Sequence, residues 1–463
     1  MTQIKSISRF AAALVMVLLI ATPSFAARGK ADFRTFVTMG DSLTFGISNL
    51  AGVVTHQQFS WPAIFARQVG LRTDCNASND APNCFQQALI SEPGVLPELV
   101  LTSLSPLGIG LKPGLGSAIN STLARPYNNL AIDGAEIADA ISVDGDGNEA
   151  FSGPIVLRGQ GSVIDQALRL NPTFIGIWFG PDDFFATLQA GTPAGLTPTA
   201  DFTRDYATVL DRLIAGAPNA GMVVGNLPSD IRGLPFVSAV PTILIDPASG
   251  KPVLGPDGKT IALVADLGGG NFGQLPAGSA ILFTAAGLLR SGYGIPAAFK
   301  PLLPNLPDVG KPLPASAVLT PDEIAAFNTR IAEYNATITT LAAARNIPVA
   351  DIGGLFMRAA TTGVQVGPFN FNLKYLTGGV ISIDSAHPTD LGYVLVANEF
   401  IKTVNRAYGT HIPLASITQV FQNNDPSSLA QSIVGLNIEL DAVPAISPEA
   451  LDVLNGKLPE PWQ

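Results

Sequence analysis

The run Thr173-Phe174-Ile175-Gly176-Ile177-Trp178-Phe179 carries no charged side chain and only one polar one, at its first position. A strand of that kind has no face to offer water, so it must be covered on both sides, as strands of parallel sheets are. Met222 to Leu227 is a second run of the same character. Phe33 to Met39, Tyr127 to Ile132 and Ile347 to Ile352 read as three further strands. Helical patterns lie between them. One starts at Ser60-Trp61-Pro62, with Ser as N-cap and Pro in the first turn; others cover Val163 to Leu170, Asp201 to Ala215 and Thr389 to Ala407. The clearest helix covers 320–345, where Thr320-Pro321-Asp322-Glu323 forms a capping box. Ile324, Phe327, Ile331, Tyr334, Ile338 and Leu341 then follow at three- and four-residue spacing. Buried strands alternating with helices predict an α/β fold in which helices sandwich a mostly parallel sheet.

Three stretches break that rhythm. Residues 93–124, rich in Gly, Pro and Ser, read as an irregular loop insertion. Residues 230–318 read as an inserted subdomain. There Thr242 to Ile245 and Thr260 to Val264 flank the turn Gly255-Pro256-Asp257-Gly258, which predicts a hairpin. The apolar segment Ala280 to Leu289 that follows fits either a buried helix or an apolar wall beside a ligand. Residues 412–463 form a C-terminal extension that fits a packed tail or a loose linker equally well.

Residues 1–26 have the layout of a secretory signal peptide. Lys5 and Arg9 are followed by the apolar run Ala11 to Ile20 and by the small-x-small site Ser24-Phe25-Ala26. An uncleaved anchor would need a longer apolar run, and no later stretch is long and uniform enough to span a bilayer. The formal charge is −10, and loss of the leader removes two more positive charges. Such a chain has no electrostatic footprint for nucleic acid or for anionic membrane. An exported chain whose only cysteines, Cys75 and Cys84, share one polar loop is expected to close a small disulfide; free thiols are the alternative.

The chemistry-bearing residues sit near the two ends of this pattern. Gly40-Asp41-Ser42-Leu43 closes the first strand, and Asp384-Ser385-Ala386-His387-Pro388 precedes the last helix. A serine hydroxyl becomes a nucleophile only when a base takes its proton, and histidine suits that task near neutral pH. An aspartate on the far side of the imidazole fixes its tautomer and stabilises the imidazolium. Of the three histidines, His56 and His411 have no Asp at short spacing, whereas His387 has Asp384 three residues before it. Ser42, His387 and Asp384 therefore read as nucleophile, base and orienting acid.

Together these segments resemble the GDSL esterases and lipases of the SGNH hydrolase superfamily. Thr38 to Gly46 resembles the first block of that family and Asp384 to Thr389, with Gly392-Tyr393, the last. Asn129-Leu130-Ala131-Ile132-Asp133-Gly134-Ala135 is similar to the second block, and Gly180-Pro181-Asp182-Asp183 lies where the third, Gly-x-Asn-Asp, belongs. The resemblance implies a flavodoxin-like α/β/α sandwich over 27–411 and carboxyl-ester substrates. It also implies an oxyanion hole built from the backbone N–H groups of Ser42 and Gly134 and the side chain at position 182. The family has Asn there; this chain has Asp182. An ionised Asp accepts hydrogen bonds only, and losing one oxyanion donor slows such reactions about 10²- to 10³-fold. Asp182 could be protonated and donate, turn away and leave a slower two-donor enzyme, or mark a protein that binds an acylated ligand without turnover.

No metal or cofactor is expected. Asp144-Gly145-Asp146-Gly147-Asn148-Glu149 has Glu149 where a calcium loop needs glycine, so it reads as a solvated turn. Zinc-peptidase, phosphate-loop and G-x-S-x-G signatures are missing from the sequence. The expected function is exported ester hydrolysis, with the apolar insertion weighting acyl or lipid esters over sugar acetates. The alternative is an SGNH-fold binding protein. Oligomeric state stays open.

Overall fold

The computed structural model of the protein describes residues 26–104, 107–142, 152–246, 249–418, 420, 444–455 and 457. The leader up to residue 25 and the 144–149 turn lie outside them.

Four parallel strands form the central sheet in the order in which the chain makes them: β1 (Phe36–Gly40), β2 (Phe174–Trp178), β3 (Gly221–Gly225) and β4 (Val349–Ala350). Phe36 lies opposite Phe174 and Gly40 opposite Trp178, and Ile177 of β2 lies opposite Val224 of β3. Residues 128–132 run along the other side of β1. The N–H of Thr38 donates to Asn128 (2.8 Å), and Leu130 and Ile132 donate to the carbonyls of Thr38 (2.9 Å) and Gly40 (3.0 Å). The second segment in sequence therefore lies outside the first, and later strands extend the other way. That reversal puts a crevice at the carboxyl end of β1, where doubly wound sheets hold their ligands.

Side chains alternate along the strands and divide the interior in two. Val37, Met39, Ile175, Ile177, Met222 and Val224 join one buried cluster with α3 (Val163–Arg169), α5 (Thr199–Gly216) and α6 (Pro321–Ala344). Phe36, Phe174, Trp178, Val223 and Ala350 join the other with α2 (Trp61–Gln68), α7 (Ile352–Thr361) and α8 (Asp390–Tyr408). The result is the expected three-layer α/β/α arrangement. Trp61 joins the layers: it stacks on Phe400 at 4.0 Å between centroids, and its indole N–H donates to Thr44. A Cβ on Gly176 would come within 2.8 Å of the Trp61 ring, which explains a glycine in the middle of β2. The capping box of α6 forms as read, with Thr320 and Glu323 satisfying each other's backbone N–H groups.

Residues 93–124 correct the reading of an irregular loop. Leu99–Leu104 and Leu107–Leu111 pair as an antiparallel hairpin, and Ala445–Ile446 of the C-terminal extension adds a parallel strand beside it. The alternation of Leu107, Ile109 and Leu111 with glycines has strand period, hidden by the glycine content. Within the extension, Ile412, Ala415 and Ile417 are buried, and the helix Pro448–Leu454 buries Ala450, Val453 and Leu454. These parts are packed tail, not linker. In the 230–318 insertion, Ile243 bridges Ala262 antiparallel as the hairpin reading required. The 280–289 segment is a two-residue strand, a 3-10 turn and the start of the helix Ala286–Ser291, with Ile281, Leu282, Phe283 and Ala286 fully buried.

Candidate active site

Three chain segments deliver the site to the carboxyl edge of the sheet. After β1 the chain turns at Asp41 into α1 (Ser42–Phe45), a single turn capped by the Asp41 carboxylate, which accepts from the N–H of Leu43 at 3.0 Å. The turn is tight because Gly40 permits it: a Cβ there would lie 2.3 Å from the Trp178 carbonyl oxygen. Ser42 is thus the first residue of α1, 6% exposed. The second segment ends at Asp133-Gly134, with Gly134 in the left-handed region (φ +74°). The third follows β2 through Gly180-Pro181 into α4 (Asp182–Gln189).

From the far end of the chain, the loop before α8 brings in the histidine. His387 Nε2 lies 3.0 Å from Ser42 Oγ, and its Nδ1 lies 2.9 Å from Asp384 Oδ2. Asp384 is held on every side. Its Oδ1 accepts from the N–H groups of Ala386 and His387 (both 2.9 Å), and its Oδ2 also accepts from the N–H of Leu50 at 2.7 Å. Burial pushes the Asp384 carboxyl up, but the facing imidazole and these donors outweigh it and hold it below the usual range. Burial works against charging His387 too; the Asp384 carboxylate, with Asp133 and Asp41 behind it, overcomes this and raises the imidazole above its ordinary value. The tautomer that fits has Nδ1–H donating to Asp384 and Nε2 accepting from Ser42. In that state the hydroxyl proton has a base to go to.

Asp182 shares one pocket with Ser42 and His387, walled by Leu43, Trp178, Phe184, Phe185, Leu234 and Phe356. No protein donor among the described residues reaches the buried Oδ2 of Asp182, nor the buried Oδ2 of Asp41 or Oδ1 of Asp183. Burial, and then the charges of Asp41, Asp133, Asp183 and Glu136, drive the Asp182 carboxyl well above the usual carboxylate range. Burial raises Asp41 as well and lifts Asp133 to about 6 and Asp183 to about 8. Asp182 opens α4, and a helix N-terminus favours a carboxylate by about 0.3–1 kcal/mol. Burial opposes the charged form more strongly than the helix end favours it, so the balance is moved toward the neutral acid.

Neither the backbone N–H of Ser42 nor that of Gly134 donates to a backbone carbonyl among the described residues. Cys75 and Cys84 form a disulfide in the loop after α2, away from the pocket. The 280–289 segment supplies no wall to it; instead Phe283 packs on Tyr375, whose hydroxyl donates to the carbonyl of Ile383, next to Asp384. The aromatic wall and the carboxyls of Asp133 and Asp183 went unread in the sequence, although Phe184-Phe185 directly follow Asp182-Asp183 and Asp133 directly precedes Gly134.

The family model for GDSL-like lipases and acylhydrolases matches residues 36–400 of the chain. No curated protein matches it. Among solved structures, an extracellular lipase from Streptomyces rimosus overlaps it at 14% identity and a TM-score of 0.32, covering 80% of this chain and 98% of that one. A phospholipase A1 from Streptomyces albidoflavus does so at 14% identity and a TM-score of 0.32, covering 82% and 100%. An alpha/beta hydrolase enzyme from the metagenome of Lake Arreo, Spain, overlaps at 11% identity and a TM-score of 0.35, covering 83% and 97%.

Proposed function

The chain belongs to the GDSL-like lipase/acylhydrolase family, and from that premise we propose that it is an exported serine ester hydrolase acting through an acyl-enzyme on Ser42. One observation carries the reading: Ser42 Oγ, His387 and Asp384 are linked by hydrogen bonds of 3.0 and 2.9 Å at the carboxyl end of the sheet. Ser42 attacks the acyl carbon while His387 Nε2 takes its proton. The negative charge that develops on the carbonyl oxygen is held by the N–H groups of Ser42 and Gly134 and by Asp182 acting as a carboxylic acid, which can donate where a carboxylate cannot. His387 then protonates the leaving alcohol, and a water activated by the same imidazole releases the acid.

Two further parts of the reading rest on separate observations. The pocket wall of Leu43, Trp178, Phe184, Phe185, Leu234 and Phe356 supports an acyl rather than a sugar-acetate substrate. The leader pattern of residues 1–26 and the Cys75–Cys84 disulfide support export to the periplasm or beyond. Every step uses protein groups alone, so EDTA should leave activity unchanged.

The deciding experiment is hydrolysis of p-nitrophenyl butyrate and palmitate by the natural protein and by Ser42→Ala. Turnover by the natural protein and its loss in Ser42→Ala is the expected result, and the preferred chain length then narrows the acyl group. Equal, near-background rates for the two proteins on both esters, with retained binding of an acyl ligand, would replace catalysis by capture.

A further inference from the structure

Outside the reacting groups, a heavily charged buried cluster surrounds His56, which the mechanism does not use. The residue is 1% exposed. Its Nδ1 lies 2.9 Å from Asp390 Oδ1, and its Nε2 lies 3.0 Å from Glu98 Oε1. Both carboxylates are themselves buried. Glu98 also accepts from Asn49 Nδ2 (3.0 Å) and, through Oε2, from Lys112 Nζ (3.1 Å), which pairs with Glu92 on its outer side. Tyr393, on the same helix as Asp390, is a further ionisable group acted on by the Asp390 charge; burial keeps the phenol neutral, and it donates to the carbonyl of Ile47 at 2.7 Å.

This cluster closes on the turn Asn49-Leu50, where both residues have positive φ (52° and 67°). A left-handed leucine is strained, so it persists only where the surroundings hold it. Two bonds then run from the turn to the catalytic loop. The N–H of Asn49 donates to Ser382 Oγ at 3.0 Å, and the N–H of Leu50 donates to Asp384 Oδ2 at 2.7 Å, the same oxygen that faces His387.

We propose that His56 is a positioning residue: clamped between Glu98 and Asp390, it locks the Asn49-Leu50 turn so that the N–H of Leu50 fixes Asp384 against His387. The inference rests on the assignment of His387 as the base. Its chemistry follows from the shared oxygen. With the Leu50 donor in place, part of the Asp384 charge is already neutralised. Without it, Asp384 swings more freely and attracts the imidazolium more strongly, so the basicity of His387 rises while its orientation loosens.

The test is the pH dependence, between pH 5 and 9, of kcat and KM for p-nitrophenyl butyrate in the natural protein, His56→Gln and Asn49→Gly. Asn49→Gly accommodates the positive φ, keeps the charged groups and removes the Asn49 side chain's contacts with Glu98 (3.0 Å) and His56 Nε2 (3.3 Å), so it guards against a His56 variant that fails to fold. His56→Gln should lower kcat about 10- to 100-fold with KM within about twofold, and should move the acidic limb of kcat/KM upward by about half a unit. Asn49→Gly should shift both in the same directions by less. A folded His56→Gln with native kcat, or a lower kcat with an unmoved limb, overturns the proposal. Ser42→Ala run alongside separates the two failures: activity that survives Ser42→Ala sinks the esterase reading and this proposal with it, whereas activity lost in Ser42→Ala but native in His56→Gln sinks this proposal alone.

Discussion

The protein buries two histidines in nearly the same geometry and gets opposite properties from them. His387 and His56 each have an aspartate oxygen 2.9 Å from Nδ1 and an oxygen 3.0 Å from Nε2. For His387 the second oxygen is the Ser42 hydroxyl; for His56 it is the Glu98 carboxylate. Burial opposes charging of His387, and the one carboxylate in contact, Asp384, with Asp133 and Asp41 farther off, raises the imidazole above its ordinary value while Nε2 stays free to face the Ser42 hydroxyl. Two carboxylates overcome the larger burial of His56 and push it to about 10, so it stays charged through the working range. His387 also keeps some exposure to the pocket (12%), whereas His56 has almost none (1%). A base needs one acidic partner and an open second nitrogen; a histidine with both nitrogens committed to carboxylates is a fixed cation.

The sharpest way to break this contrast is to remove each ring in turn. His387→Ala should lower kcat about 10⁴-fold or more and leave stability nearly unchanged, because Asp384 keeps the N–H donors of Leu50, Ala386 and residue 387. His56→Ala should fall mainly on stability, with kcat lowered only by the roughly 10- to 100-fold expected of a positioning residue. It strips the cation from two buried carboxylates, which typically costs about 3–5 kcal/mol, visible as a lower urea midpoint. If the two variants lose activity and stability in parallel, the division of labour is wrong.

A smaller effect tests the charge states. His56 has its folded pKa near 10, above the ordinary 6.5, so its contribution to stability is full below pH 6.5 and is lost as pH rises through about 10. Glu98 is held at about 2 against an ordinary 4.5, because bonds from His56 and its charge outweigh burial; its contribution is present above pH 4.5 and is lost as pH falls through about 2. Urea midpoints should therefore decline at both extremes. His56→Gln should flatten the alkaline decline as pH rises toward about 10.

The same contrast explains what the sequence could reveal. The Asp384–His387 pair is encoded within one turn, so spacing alone pairs those two; Ser42, 345 residues from His387, joins them through its strand-turn-helix pattern and the family resemblance of the two blocks. The partners of His56 lie 42 and 334 residues away, and no local pattern points to either. The strands legible in sequence were the buried ones, where uniform apolarity is the signal; the hairpin at 99–111 was missed because its glycines suppress that signal. Helices with an N-cap and apolar period were found, whereas α4 and α7 were not. α4 opens with two acids inside what looked like a catalytic loop, and α7 opens on Gly353-Gly354.

Asp182 gives the smallest expected effect at neutral pH and the most informative one above it. A neutral carboxylic acid and an amide both donate a hydrogen bond, so Asp182→Asn should leave kcat/KM at pH 7 within about threefold. The two differ once the acid ionises. Its folded pKa is raised first by burial and then by Asp41, Asp133, Asp183 and Glu136, so the donor survives to higher pH than in a free carboxyl and is lost as pH rises further. The natural enzyme should then show a falling alkaline limb that Asp182→Asn removes, with the variant becoming the faster of the two where that limb has fallen. Asp182→Ala, lacking a donor at any pH, should be about 10²- to 10³-fold slower throughout. A rise of that size in Asp182→Asn already at pH 7 would mean that Asp182 is ionised in the working enzyme. It would then oppose the oxyanion, and the pocket would be tuned for slow turnover rather than for a third donor.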